Sequence, residues 1–222
     1  MGASVPGVRA KVWYLQARVA EGLGDEATAA RGMSWARRLD GNDIELLRLL
    51  AEHAERQDDP RGRLELCLDA LELPTTEGPC TRAWAHRGAA SAWLALGHAG
   101  EARRQLDPLA DAGCPDAEAE VAWAHATGDR AGAQALLETW TPERPAARMA
   151  AARWALDLDR PDLALSWLAP LTGHPDWPAA ADLLVEVAPH HPDAVRVLLD
   201  AVAPTAGAPW TEARQTISGG SP

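Results

Sequence analysis

A chain of 222 residues that is 47% apolar and 24% charged has the composition of a folded protein, which excludes wholesale disorder. Its formal net charge of −11 repels phosphates and anionic lipid surfaces, so we expect neither a nucleic acid nor a membrane as partner. No apolar run approaches the roughly 20 residues that a membrane-spanning helix needs.

A turn rich in Gly, Asp or Pro recurs six times along the chain, and each turn closes on an apolar residue. The turns are GLGDEATA (22–29), QDDPRGRL (57–64), ALGHAGEA (95–102), ATGDRAGA (126–133), DLDRPDLA (157–164) and APHHPDAV (188–195). Their last residues lie 35, 38, 31, 31 and 31 positions apart. A period in this range is typical of stacked helical hairpins, whose usual role is to bind other proteins.

Apolar residues stand at the end of each turn and again four and seven positions later, which places them on one face of an α-helix. The six sets are Ala29, Met33 and Ala36; Leu64, Leu68 and Leu71; Ala102, Leu106 and Leu109; Ala133, Leu137 and Trp140; Ala164, Leu168 and Leu171; and Val195, Leu199 and Val202. The spacing predicts an amphipathic second helix in every repeat, with this face buried.

A first helix is predicted before each turn, with small or apolar residues fourteen and ten positions before the turn ends. These pairs are Leu15 and Val19, Leu50 and Ala54, Gly88 and Ala92, Ala119 and Trp123, Ala150 and Trp154, and Ala181 and Val185. We expect the small residues to let neighbouring helices approach closely, and the two tryptophans to reach into the adjacent repeat.

Two groups of turn residues support these helix boundaries. Glycine takes the left-handed conformation readily after a helix, and we expect it at Gly24, Gly97 and Gly128. Proline suits the first turn of the following helix, and we expect it there at Pro60, Pro161 and Pro192.

The first repeat runs from Trp13 through the Gly24-Asp25 turn to the second helix that begins near Ala29. In its early aromatic, its Gly-Asp turn and its small-large-small second helix it resembles the tetratricopeptide repeat (TPR) family. The third, fourth and fifth repeats match by the turn and the start of the second helix. The family's Leu-Gly pair, downstream Tyr and 34-residue period are missing, and a Sel1-like or HEAT-like array is the alternative.

The patterns and the resemblance together predict an all-α fold over residues 8–204, a right-handed superhelical array of about six antiparallel helix-turn-helix repeats. The repeats are predicted at 8–40, 42–73, 79–112, 115–141, 145–172 and 176–203. Residues 205–222 are predicted to form a short C-terminal segment and a flexible tail, which is a thin cap for an open-ended array.

The resemblance implies that first helices line a concave groove that binds a peptide or helix of a partner. In the family's register the groove residues are Lys11 at the rim, Tyr14, Arg18, Arg87, His125, Met149 and Arg153, with Glu21 and Glu118 beside them. If the arginines outweigh these acids, the expected ligand is an acidic peptide or a free C-terminal carboxylate. The alternative is that the arginines pair with nearby Asp or Glu and only cover helix surface.

Candidate catalytic or metal-binding groups are few. The pair His190-His191 lacks the spacing of three or four that helical metal ligands share, and Asp58-Asp59 stands at a helix start, where acidic residues are common. Cys67 lies among leucines of a second helix and is predicted to be a core residue. We expect no metal, no cofactor and no enzymatic activity.

The three cysteines are odd in number, widely spaced and without a C-x-x-C pair. This argues against a disulfide framework and suits a reducing cytoplasm. Four tryptophans fall outside the repeat pattern and are predicted to be exposed anchors for a partner: Trp35, Trp84, Trp177 and Trp210.

The sequence therefore predicts a non-enzymatic, cytoplasmic adaptor or scaffold that binds a partner protein in its concave groove. Two alternatives stay open. One is a self-assembling repeat protein, as a homo-oligomer or filament, because open-ended arrays expose apolar end faces. The other is an all-α enzyme or ligand sensor with a pocket in the superhelix.

Overall fold

The structure, a computed structural model, describes residues 6–75, 78–174, 178–202 and 206–219. All regular elements in these ranges are helices, so the predicted all-α class is confirmed. The α-helices described are α1 (Pro6–Gly22), α2 (Glu26–Leu39), α3 (Ile44–Arg56), α4 (Pro60–Glu72), α5 (Ala83–Ala95), α6 (Ala99–Asp111), α7 (Ala117–Ala126), α8 (Arg130–Thr139), α9 (Pro145–Asp157), α10 (Pro161–Leu168), α11 (Ala179–Val187), α12 (Pro192–Asp200) and α13 (Ala208–Gly219). Short 3₁₀ helices precede α5 (Pro79–Arg82) and follow α10 (Ala169–Leu171).

Consecutive helices pack against each other as helix-turn-helix pairs. Such contacts join α1 to α2, α3 to α4, α5 to α6, α9 to α10, and α11 to α12. The chain divides into two compact units, an N-terminal unit that ends at Ala119 and a C-terminal unit that begins at Glu120. Each unit has its own apolar clusters of buried side chains. The pairing of helices supports a TPR-like repeat architecture.

The turns between paired helices place a left-handed residue directly before the next helix. Gly24, Gly97 and Gly128 have φ of 76°, 80° and 75°, which confirms the conformation predicted for them. Asp58 and Asp159 take the equivalent place in two other turns, with φ of 52° and 61°. Aspartate side chains then cap the following helix by accepting backbone N–H groups in the first turn, at Asp25, Asp59 and Asp129. The predicted prolines occupy the first helical positions, at Pro60, Pro161 and Pro192.

The predicted face of the second helices is buried. The residue that starts the apolar set is at most 9% exposed in all six repeats. The positions four and seven residues later are buried too, except for three half-buried side chains, Leu68, Leu71 and Trp140. The spacing therefore identified the core side of these helices correctly.

The prediction for the first helix of the first repeat is wrong, because Leu15 and Val19 are 61% and 64% exposed. α1 instead turns its smaller residues Ala10 and Ala17 toward the core, both fully buried. The reason is steric: a Cβ added at Gly32 of α2 would lie 2.7 Å from the Cβ of Ala17, so only small residues fit between these helices. In the second and third repeats the predicted positions are buried, at Leu50, Ala54, Gly88 and Ala92.

The prediction of an exposed Trp210 is also wrong, since its side chain is 1% exposed. It lies on α13, which packs against α11 and α12. Arg214 of the same helix donates hydrogen bonds to the carbonyl oxygens of Leu199 and Val202. The C-terminal segment is therefore a helix that covers the last helix pair rather than a thin cap.

The other three tryptophans of that group differ from one another. Trp35 is 48% exposed, as predicted, and its ring stacks on that of Trp13 at 6.3 Å between centroids. Trp84 is half-buried against the core of the N-terminal unit. Trp177 lies outside the described residues.

Cys80 and Cys114 form a disulfide, which overturns the expectation that the cysteines are unpaired. They stand 34 positions apart, and the α5–α6 pair folds the chain back so that the start of this pair meets its end. Cys67 is fully buried, as predicted, and burial raises the pKa of its thiol to about 11. The widely spaced cysteines therefore do not argue for a reducing compartment.

Reduction of the Cys80–Cys114 disulfide should lower the free energy of unfolding by about 3–4 kcal/mol, because the bond closes a loop of some 34 residues in the unfolded chain. Urea unfolding with and without reductant measures the difference. As a control, thiol titration of the unfolded, unreduced protein should find one free thiol per chain, that of Cys67. Three free thiols would show that the disulfide does not form.

Candidate functional site

Three predicted groove residues lie on α1 in the N-terminal unit. The Lys11 Nζ is 3.3 Å from the carboxylate of Asp43, and the Arg18 Nε is 3.2 Å from that of Glu21. Tyr14 lies between the two cations along the helix, but it is 6% exposed and belongs to the apolar core. α1 therefore presents two partly exposed cations, each of which already contacts an acid, and a tyrosine with little surface left for a partner.

Arg87 of α5 is the fourth predicted groove residue in this unit. Its guanidinium lies 2.5 Å from a carboxylate oxygen of Asp116, which precedes α7. The other carboxylate oxygen of Asp116 accepts the backbone N–H of Ala119 at 3.0 Å. Asp116 is therefore held from two sides, and it fixes the position of the Arg87 side chain.

In the C-terminal unit, His125 and Arg153 each contact an acid as well. The His125 Nε2 is 3.2 Å from the carboxylate of Asp157, and the Arg153 guanidinium is 2.7 Å from that of Glu186. Arg153 and Glu186 are both half-exposed. Met149 is half-buried and packs against the apolar cluster of this unit.

These contacts share one geometry, in which a side chain on the first helix of one repeat meets a side chain on, or just before, the first helix of the next. We call them the first-helix pairs: Lys11 with Asp43, Glu21 with His53, Arg87 with Asp116, His125 with Asp157, and Arg153 with Glu186. Most basic members of these pairs are among the groove residues predicted from the sequence, whereas most of the acidic members are not. The partners stand about one repeat length apart, so a search for opposite charges at the repeat period would have found them.

The predicted basic wall is consequently balanced by acids. Every basic side chain among the predicted groove residues, His125 included, lies within 3.3 Å of an acidic side chain of its own chain. Pairing with nearby Asp or Glu, the alternative interpretation from the sequence, is what the structure shows.

Asp43 illustrates the electrostatics of such a pair. Its partial burial would raise the pKa of the carboxyl, but the backbone N–H of Leu46 and the ammonium of Lys11 outweigh that effect and hold the pKa below its usual value. Asp43 also caps α3 by accepting the N–H groups of Glu45 and Leu46. The same carboxylate thus serves the helix start and the contact between repeats.

Two side chains that could take part in catalysis, those of Cys67 and Asp59, are held within the fold. Burial raises the pKa of the Cys67 thiol, so the reactive thiolate is scarce at neutral pH. The Asp59 carboxylate caps α4, whereas His191 stands at the N-cap position of α12 without a side-chain hydrogen bond to that helix. Within the described ranges, no group of three or more His, Cys, Asp or Glu side chains could hold a metal ion.

A cavity of about 710 Å³ lies beside Trp84, between the start of α3 and the 3₁₀ helix that precedes α5. Arg48 on its lining contacts the carboxylate of Glu45 at 2.7 Å. Arg82 is buried and donates hydrogen bonds to the carbonyl oxygens of Ala70, Leu71, Leu73 and Pro74. The guanidinium groups of Arg48 and Arg82 at this cavity are therefore already bound by groups of the protein itself.

Comparison with known proteins leaves the family open. No protein-family model matches the chain, and no curated protein matches it. Among solved structures, it is similar to the crystal structure of a flexible tandem repeat domain from one of the subunits of bacterial cellulose synthase. That similarity has 16% sequence identity and a TM-score of 0.42 and covers 98% of this chain and 97% of the other. A TM-score below 0.5 supports no inference, and the proposals below rest on this chain's own residues.

The position of Tyr14 can be tested by titration, because it is the single tyrosine of the chain. Burial raises the pKa of Tyr14 above 10.0, with the charge of Arg18 opposing the effect. We expect ultraviolet absorbance to show ionisation at higher pH in the native protein than in urea. The associated stability should be complete below the pKa of the unfolded state and should fall as the pH rises through that of the folded state. Equal native and unfolded midpoints would contradict the burial.

Proposed function

We propose that this chain is a non-enzymatic helical-repeat scaffold that binds a partner protein along its first helices. Each unit has its own binding surface, which we call its first-helix face: Lys11, Arg18 and Arg87 form it in the N-terminal unit, and His125 and Arg153 form it in the C-terminal unit. One observation supports the proposal most: the side chains of Lys11, Arg87, His125 and Arg153 are partly exposed and are already ordered by the first-helix pairs.

The energetics of exposed ion pairs explain why this surface suits a partner. Such a pair contributes about 0.2–1 kcal/mol to stability, so the fold does not depend on it. A partner carboxylate that contacts Arg87 beside Asp116, or Arg153 beside Glu186, adds a charge-assisted hydrogen bond of about 1.5–3 kcal/mol once water is excluded. Because the arginines are already held, less side-chain entropy is lost on binding. An acidic peptide or a free C-terminal carboxylate is the binding element that fits.

The environments of the titratable side chains favour a scaffold over a catalyst. A nucleophile needs an activated side chain beside a base, whereas burial disfavours the Cys67 thiolate. The charged residues that line the cavity beside Trp84 are held by protein groups. The proposal therefore assigns the function to the surface of the repeats.

The cell compartment in which the protein works can also be tested. The sequence predicts the cytoplasm, while disulfides such as Cys80–Cys114 are rare there. No helix of the described ranges is long and apolar enough to cross a membrane. The number of free thiols in protein isolated from its source cell therefore decides between the cytoplasm and an oxidising compartment.

Replacing Arg87 and Arg153 together by Ala should weaken partner binding by at least about tenfold, because two charge-assisted contacts are lost. The measurement is affinity capture from the source cell, identification of the captured protein, and calorimetric titration of that protein with the wild type and the double variant. Circular dichroism should show the same helical content for both, since the substituted side chains are on the surface.

Arg104→Ala is the matched control. Arg104 is more exposed than either arginine and contacts Glu101 within its own helix, α6, which is a second helix. We expect this variant to bind like the wild type. If the double variant binds every captured partner with wild-type affinity, or if Arg104→Ala weakens binding equally, the first-helix face is not the binding surface.

A further inference from the structure

The outer side of α1 carries a line of exposed apolar side chains. Val8, Val12, Leu15 and Val19 are 58%, 46%, 61% and 64% exposed, and Leu23, just beyond the helix, is 81% exposed. Steps of four, three and four residues place the first four on one side of the helix. We call these five residues the α1 stripe.

The opposite side of α1 is apolar as well. There Ala10, Tyr14 and Ala17 are buried in the core of the N-terminal unit. A helix with two apolar sides is typical of one that has neighbours on both, as inner helices of repeat arrays have. The described chain supplies a neighbour on one side only, so the α1 stripe is suited to contact a further polypeptide.

The last helix of the described chain differs from α1. α13 covers α11 and α12, and its apolar side chain Trp210 points into the core. Its exposed residues are polar: Thr211, Glu212, Gln215 and Thr216. α13 is therefore a polar cap, whereas the outer side of α1 is apolar.

From this contrast we infer that the α1 stripe is a homodimer interface, in which α1 of one copy packs against α1 of a second copy. A contact that uses the same surface on both copies closes after two chains. A head-to-tail filament would instead need an apolar surface on α13, and the exposed side of α13 is polar. Of the two self-assembly alternatives, homo-oligomer and filament, the structure thus favours the first.

The size of the stripe is compatible with a small dimer interface. Each copy exposes on the order of 500 Å² at these residues, so two copies that bury them completely remove at most roughly 1,000 Å² from water, the lower limit of a specific interface. In a heptad pattern Val12 and Val19 take the a position, and Val8 and Leu15 take the d position. Valine at a with Leu15 at d is a combination that favours two strands in parallel coiled coils. Val12, Leu15, Gln16 and Val19 also line a shallow groove that can receive side chains of the other helix.

Charges beside the stripe do not oppose this pairing. Lys11 and Arg18 border it on one edge, but Lys11 contacts Asp43 and Arg18 contacts Glu21 within the same chain. Two copies therefore meet with these cations already compensated, which limits the like-charge repulsion.

Analytical ultracentrifugation of the full chain over about 1–100 μM tests the inference, with Val19→Glu as the disrupting variant. The wild type should sediment as a dimer at the upper end of this range. Val19→Glu should raise the dissociation constant at least about 100-fold, because a carboxylate would be buried in the seam without a partner. The substitution is on the surface, so circular dichroism should report an unchanged helical content.

Val197→Glu is the matched control. Val197 is the same residue type, is 68% exposed, and lies on α12 of the C-terminal unit, so it is not part of the stripe. This variant should dimerise like the wild type. A wild type that stays monomeric at 100 μM overturns the inference, and so does a Val19→Glu variant that dimerises as tightly as Val197→Glu. Both proteins keep the first-helix face intact, so the result is independent of partner binding.

Discussion

Close approach between helices at small residues is the constraint on which this structure depends. About half of the buried apolar residues in the described ranges are alanines. Two glycines mark where the approach is closest: a Cβ added at Gly88 would lie 2.5 Å from the Sγ of Cys67, and one at Gly32 would lie 2.7 Å from the Cβ of Ala17. Larger side chains at these points would push the helices apart and uncover the leucines that flank them.

The same constraint connects the core to the surface features. Helices that pack closely also bring polar side chains of successive repeats within reach, and the first-helix pairs result. In α1 the side with Ala17 faces the core because only a small side chain fits between Ala17 and Gly32 of α2, which leaves Leu15 and Val19 outside. The exposed stripe is therefore a consequence of how the core selects its residues.

The second helices could be predicted well because each turn fixes their register. The left-handed residue and the cap that follows it define where the helix begins, and positions counted from there fall on the buried face. The six turns mark the starts of second helices and not that of α1, which has two apolar sides, so periodicity alone could not decide which of its sides is buried. The size of the side chains decides which side is buried, because only small side chains fit where two helix backbones approach closely.

Features that depend on residues far apart in sequence were harder to predict. Cys80 and Cys114 looked unpaired because their meeting depends on how the α5–α6 pair folds back. Trp210 looked exposed because its contacts come from α11 and α12, which the repeat pattern does not link to it. The acids of the first-helix pairs were missed for a different reason, since their signal at the repeat period was present in the sequence and not used.

The central claim is tested most directly by comparing Gly88→Ala with Gly100→Ala in urea unfolding. Both substitutions gain helix propensity, up to about 1 kcal/mol, but nothing lies within 4 Å of a Cβ added at Gly100, whereas one at Gly88 meets Cys67. Close packing predicts that Gly100→Ala is at least as stable as the wild type and that Gly88→Ala is less stable than Gly100→Ala by about 1–3 kcal/mol. Equal stability of the two variants would contradict the account.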